Sequence, residues 1–77
     1  MTRVVVISAR EMSKILRRLG FQRIRQRGSH AFFRHPDGRA TVVPMHKGRD
    51  LPRGTIRNIL KDIDITVEEY EQLRREI

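Results

Sequence analysis

The stretch His30-Ala31-Phe32-Phe33-Arg34-His35-Pro36-Asp37-Gly38-Arg39-Ala40-Thr41-Val42-Val43-Pro44-Met45 decides how the rest of the chain is read. Its two ends are short and rich in aromatic and β-branched residues, and its middle is turn sequence. Pro36 pre-sets φ for a turn and Gly38 is free to take positive φ. The reading is a hairpin: a strand from His30 to Arg34, a turn over Pro36 to Arg39 and a strand from Ala40 to Met45. Pro44 has no amide for a ladder, so the second strand frays or lies at an edge. Phe32 and Phe33 point to opposite faces. One of them is core. The other stacks on a base or, the preferred reading, covers the far face or meets a protein partner.

Upstream, Gly28-Ser29 is a short turn and Phe21 to Arg27 alternates imperfectly, as a strand completing an antiparallel meander. Ser8-Ala9-Arg10-Glu11 is a capping box. It opens a helix whose apolar residues Met12, Ile15, Leu16 and Leu19 form one stripe, with Arg10, Lys14, Arg17 and Arg18 opposite. Gly20 is placed to end it. Downstream, His46 to Leu51 is a basic loop, and Pro52 fits the first turn of a second helix with the stripe Ile56, Ile59, Leu60 and Ile63. Asp64-Ile65 breaks that helix. Thr66-Val67-Glu68-Glu69 is a second capping box, opening an appended acidic helix over 66–76 with Val67, Tyr70 and Leu73 on its apolar side. The order α-β-β-β-α plus a short α predicts an α+β fold: a three-stranded antiparallel sheet with two helices on one face, in one domain spanning 1–77. Residues 1–7 are either an edge strand, since Arg3 to Ile7 is β-branched, or a lead-in that orders against a partner.

A chain of 77 residues buries only roughly 60% of the surface its unfolded form exposes. A core that thin leaves little room for an enclosed pocket, which disfavours a small-molecule substrate and suits a large, extended ligand bound on the surface. The absence of cysteine excludes disulfides, Cys-based zinc sites and thiol nucleophiles. The longest apolar run, Val4 to Ile7 followed by Ser8 and Ala9, is far short of the ~20 residues of a membrane span. With no signal-peptide pattern, the expectation is a soluble, cytoplasmic protein with no membrane partner.

Charge carries the strongest functional signal. Seventeen Lys and Arg, fourteen of them Arg, face nine Asp and Glu for a net +8. Residues 1–61 hold fifteen basic and three acidic side chains, whereas residues 62–77 hold two basic and six acidic. Most of the chain is a polycation with an acidic tail, and Arg presents a planar fork of donors that matches phosphate oxygens. The first reading is a nucleic-acid binder; the bland alternative is that the Arg content reflects a thermophilic or GC-rich source, or simple solubility.

RNA carries its own nucleophile, the 2′-hydroxyl. Cleaving it needs a base for that proton, an acid for the leaving 5′-oxygen and positive charge on the transition state. Histidine serves as base or acid and Arg supplies the electrostatic part, so no cofactor is required. His30 follows the flexible Gly28-Ser29, with Arg27 beside it, and is the first candidate for chemistry. Ser29 orients His30, bonds a phosphate or is a plain turn residue. His46 opens the basic loop and is either a second acid/base group or a phosphate contact. His35 abuts the Pro36-Asp37-Gly38 turn and is read as a local hydrogen-bonding residue. The three histidine positions lack a compact metal-ligand spacing. Lys47, Arg49, Arg53 and Arg57 form a candidate phosphate track from the loop onto the second helix.

Five segments in order carry a family resemblance: Leu19-Gly20-Phe21, Arg27-Gly28-Ser29-His30, Phe33-Arg34-His35-Pro36-Asp37-Gly38-Arg39, Val43-Pro44-Met45-His46-Lys47-Gly48 and Gly54-Thr55-Ile56-Arg57-Asn58-Ile59-Leu60. Together they resemble the HicA toxin family. The resemblance implies a fold like a double-stranded-RNA-binding domain and the toxin role in a type II toxin–antitoxin pair. It also implies ribosome-independent mRNA cleavage (an mRNA interferase) and silencing by a HicB-type antitoxin protein. The family's catalytic histidine lies in a Gly-Ser-His motif that maps onto His30, and the motif is intact. HicA chains usually begin close to the first helix, whereas seven residues stand ahead of it here. Two other readings remain: a non-catalytic RNA-binding module of the same fold, and a DNA-binding regulator, which lacks a visible helix-turn-helix spacing. In the toxin reading, a neighbouring acidic protein covers the His30 face.

Overall fold

The computed structural model describes residues 3–77; Met1 and Thr2, the start of the expected lead-in, lie outside the described residues. Ser8 starts the first helix as its sequence demands. Its hydroxyl accepts from the Glu11 amide at 3.1 Å, and the Glu11 carboxylate accepts from the Ser8 amide at 3.0 Å. Amides that a helix start leaves without partners are thereby satisfied reciprocally. Helix α1 then runs Ala9–Arg18. Met12, Ile15 and Leu16 are fully buried, while Arg10, Lys14, Arg17 and Arg18 stay exposed. Gly20 takes φ +97°. That lets the amides of Gly20 and Phe21 donate back to the carbonyls of Arg17 and Leu16 at 3.0 and 2.9 Å, a Schellman closure.

The closure drops Phe21 into the core, so the first strand starts one residue later than its sequence suggests. Strands β1 (Gln22–Arg27), β2 (His30–Arg34) and β3 (Ala40–Pro44) form an antiparallel sheet in the order β1-β2-β3. Pro44 ends an edge strand, where a missing amide costs nothing in the ladder. The imperfect alternation of β1 has a structural cause. Its register against β2 shifts between Arg23 and Arg25, leaving Ile24 as the extra residue of a bulge, 57% exposed. Ala31, Phe33, Thr41 and Val43 share the inner face and are buried. The Thr41 hydroxyl donates to Asp62 at 3.0 Å, which keeps that inward polar group satisfied.

Helix α2 (Arg53–Ile63) packs on β3 and buries Ile56, Ile59, Leu60 and Ile63. Pro52 sits at its N-cap, one position ahead of the expected first turn. Asp64 ends it at φ 59°, a left-handed position that aspartate tolerates better than most residues. The second capping box forms as expected and opens α3 (Val67–Glu76), which packs against α1 and buries Tyr70.

Residues 3–7 form no edge strand. They make an extended strap that threads between α2 and α3. Val4 and Ile7 join the core. The strap's carbonyls are taken by the Leu51 amide on Ile7 at 2.8 Å, by Arg53 Nε on Val4 at 2.9 Å and by the Tyr70 hydroxyl on Val5. Val4 and Ile7 of the β-branched run are apolar because they are buried, and the run's carbonyls accept from one loop amide and two side chains rather than from a ladder.

Burial pushes the Tyr70 phenol up to about 12, from an ordinary value of 10.0. The folded protein therefore keeps a proton that the unfolded chain releases. The stability this adds is present below pH 10 and is lost as pH rises towards about 12. Tyr70→Phe should cost about 1 kcal/mol at neutral pH, since it strips the Val5 carbonyl of its partner. Urea titrations from pH 7 upward should also show the variant losing stability less steeply in that alkaline window. Gly20→Ala should cost more than about 1 kcal/mol, because φ is positive and a Cβ would meet His35 Nε2 at 3.0 Å. The same titration at neutral pH measures it.

Candidate nucleic-acid interface

Gly28 and Ser29 carry the chain from β1 to β2 in two residues. Gly28 has φ +57° and Ser29 does not share the positive sign, the pattern of a type II′ turn whose twist suits a hairpin. No atom lies within 4 Å of where a Gly28 Cβ would stand. Backbone conformation selects the glycine, and the space above the turn is open to a ligand.

His30 pairs with Arg27 across to β1 and with Pro44 across to β3. Side chains alternate along a strand, so His30, Phe32 and Arg34 lie opposite the buried Ala31 and Phe33. They occupy the face that no helix covers. Three cross-strand rows build that face: Gln22–Arg34–Ala40, Arg25–Phe32–Val42 and Arg27–His30–Pro44. It holds three arginines and no carboxylate. His30 is exposed. Phe32 is half-buried, with the Arg25 guanidinium over its ring at 4.6 Å. It covers the far face as preferred from sequence, and a base could stack on it only by displacing Arg25.

The Met45 amide donates to the Ser29 carbonyl. This bond extends the β2–β3 pairing past its last ladder pair and brings the start of the basic loop to the His30 end of the sheet. His46, Lys47, Gly48 and Arg49 are exposed there. Between this loop and the start of α1 lies an open cleft of about 430 Å³ lined by Ser8, Ala9, Arg10, Met45, His46, Lys47 and Gly48. Its lining contains no carboxylate. Glu11, one residue beyond Arg10, is turned back onto Ser8, and the hydrogen bonds from the Ser8 amide and hydroxyl hold its carboxyl below the usual range.

The structure thus gathers Arg27, Gly28, Ser29, His30, His46 and Lys47 at one end of the sheet, with Arg49 further along the loop. It does not bring Arg53 and Arg57 to the His30 face. Both stand on α2, in the layer on the opposite side of the sheet, and Arg53 spends its Nε on the strap. The expected phosphate track is therefore divided between two layers. Arg10 and Met45 carry no such signal in sequence: one reads as a solvated helix charge, the other as a strand end, and only the tertiary fold makes them neighbours of one cleft. His35 lies at the other end of the sheet. Its Nδ1 accepts from the Asp37 amide at 3.0 Å and its ring meets Phe21 edge-on at 5.1 Å between centroids, the local role expected of it. Among the described residues, no group of three or more His, Asp or Glu side chains is placed to hold a metal ion, and no helix is long and apolar enough to cross a membrane.

A family model described as the HicA toxin of bacterial toxin–antitoxin systems matches residues 9–65. The match runs from the first residue of α1 to just past α2 and leaves out the strap and α3. A search of curated proteins finds no match.

His30 is exposed and its side chain makes no hydrogen bond among the described residues, so His30→Ala should shift unfolding stability by less than about 0.5 kcal/mol. Gly28→Ala should cost roughly 1–2 kcal/mol through its left-handed φ alone. Chemical denaturation followed by circular dichroism checks both.

Proposed function

This chain belongs to the HicA toxin family of bacterial toxin–antitoxin systems, and from that premise we propose that it is an mRNA endoribonuclease acting through His30. The observation that supports this most is the placement of His30. It stands exposed on a positive, helix-free sheet face, beside an open glycine turn and at the same end as a second histidine, His46.

In the reaction that these residues suit, an RNA 2′-hydroxyl attacks the adjacent phosphorus. Its proton passes to the His30 imidazole, and the P–O5′ bond breaks. The leaving O5′ takes a proton from a second group, for which His46 is the best-placed residue. Arg27, the cross-strand neighbour of His30, opposes the charge that gathers on the phosphoryl oxygens. Lys47 and Arg49 hold the flanking backbone by charge, and Ser29 and Gly28 give a phosphate close access to the turn. Every proton in this scheme is moved by a side chain of the protein. The partner of the toxin is then a HicB-type antitoxin. A face of three arginines without a carboxylate suits an acidic surface, and covering His30 silences the enzyme.

Purified protein and its His30→Ala variant, incubated with mixed RNA in EDTA, test this. The wild type should cut and the variant should not, while both bind RNA with affinities within about twofold. If neither cuts and both bind, the protein is a binding module of the same fold; if the variant loses binding together with cleavage, His30 is not the chemical centre. Lys47→Ala should reduce the salt dependence of RNA binding by about 0.7 in log–log slope, one single-stranded phosphate contact, as read by fluorescence anisotropy.

A further inference from the structure

The cleft beside α1 shares His46 and Lys47 with the proposed chemistry, but its apolar floor and Arg10 play no part in that chemistry. Its floor is apolar: Ala9 is buried and Met45 is half-buried, with the thioether sulfur accepting from Ser13 Oγ at 3.9 Å. Its rim is cationic, with Arg10 on the α1 side and Lys47 on the loop side, and His46 lies between floor and rim in sequence. The Ser8 hydroxyl and amide are already engaged with Glu11, so the polar character of the cleft comes from the basic side chains. The volume of about 430 Å³ falls in the range of small-ligand pockets, roughly 300–1,000 Å³.

We propose that this cleft is a nucleotide subsite, taking one unpaired nucleotide of the RNA next to the scissile phosphodiester. The base lies against Met45 and Ala9, and the phosphate meets Arg10 and Lys47. Three features select this occupant. A thioether is polarizable and packs well against a flat aromatic ring. Arg10 and Lys47, with no carboxylate in the lining, attract an anion and repel a cation. The Met45 amide is bonded to the Ser29 carbonyl, so the backbone that floors the cleft, on the helix side of the sheet, adjoins the turn that leads into His30 on the other side. A duplex presents its bases stacked and paired, and a cleft that buries one base favours single-stranded RNA. This inference rests on the ribonuclease reading for its substrate. It adds Arg10 and Met45 as specificity-determining residues that read the nucleotide beside the cut.

Methyl-labelled methionine NMR of the full chain carrying His30→Ala tests the subsite without cleavage. Met45 reports the cleft and Met12, fully buried in the core, serves as the internal reference. The probes are the four nucleoside 5′-monophosphates, inorganic phosphate and an acidic peptide. The expected result is a saturable shift of the Met45 methyl with at least one nucleotide, no shift of Met12, and no equivalent response to phosphate or peptide. Arg10→Ala, an exposed substitution that leaves the fold intact, should weaken nucleotide binding about tenfold and broaden the distribution of cut sites on mixed RNA in an otherwise wild-type chain. An unmoved Met45, or the same shift from phosphate alone or from the peptide, overturns the nucleotide assignment. Nucleotide binding at Met45 in a protein that cuts no RNA would uphold the subsite and reject the ribonuclease; cleavage with a silent Met45 would do the reverse.

Discussion

Ala31 pairs with Gln26 on one side and Val43 on the other, and the consequences of that register run through the whole molecule. It sends Ala31 and Phe33 inward to the helices and sends His30, Phe32 and Arg34 outward. A slip of one residue would bury a histidine and two charged or polarizable neighbours and expose two core side chains, a change no small core could absorb. The register is held at both ends of β2. The Gly28-Ser29 turn sets it against β1, and the His35–Arg39 turn sets it against β3 with the His35 amide donating to the Arg39 carbonyl at 2.8 Å. His30 therefore sits on a strand paired on both sides, whereas His46 and Lys47 come to it from a loop.

The basic loop that starts at the His30 end of the sheet is held in a different way. Its near end is tied to the sheet by the bond between Met45 and Ser29. Its far end is tied to the strap, through Leu51 to Ile7, and by the isolated bridge between Ser8 and Asp50. The strap in turn depends on Tyr70 of α3 and Arg53 of α2. The two segments that the family match leaves out thus close on each other and brace the loop from behind. The acidic residues of α3 act elsewhere: Glu76 pairs with Arg18 of α1 at 3.3 Å, and Glu71 pairs with Arg74 within α3 at 2.9 Å. Such exposed pairs contribute little individually; Tyr70, fully buried, contributes more.

The elements most legible in the sequence are those specified by local chemistry. Both capping boxes, the glycine stop after α1, the hairpin turn and the apolar stripes of α1 and α2 each involve residues within four positions of one another, where the backbone leaves few alternatives. The strand limits at His30 and Arg34 follow from the same logic. What sequence left open needed tertiary information. Two adjacent phenylalanines satisfy a period of two in either phase, so the face of Phe32 is decided by Thr41 and Val43 across the sheet. A β-branched run such as residues 3–7 has the composition of a strand whether its carbonyls meet a ladder or an arginine and a tyrosine. Arg53 reads as a phosphate contact because its bond to the strap crosses 49 residues, and the pairing of Arg10 with Met45 across one cleft is invisible to any local pattern.

The central claim is that the 2′-hydroxyl of RNA is the nucleophile and that His30 takes its proton. The end groups left on a single-site RNA after partial digestion test it most directly. The account predicts a 5′-hydroxyl on one product and a 2′,3′-cyclic phosphate, or the 3′-phosphate formed from it, on the other, with no cutting where the sugar at the scissile position is 2′-O-methylated. A 5′-phosphate on the downstream product, or undiminished cutting of the methylated RNA, would contradict it.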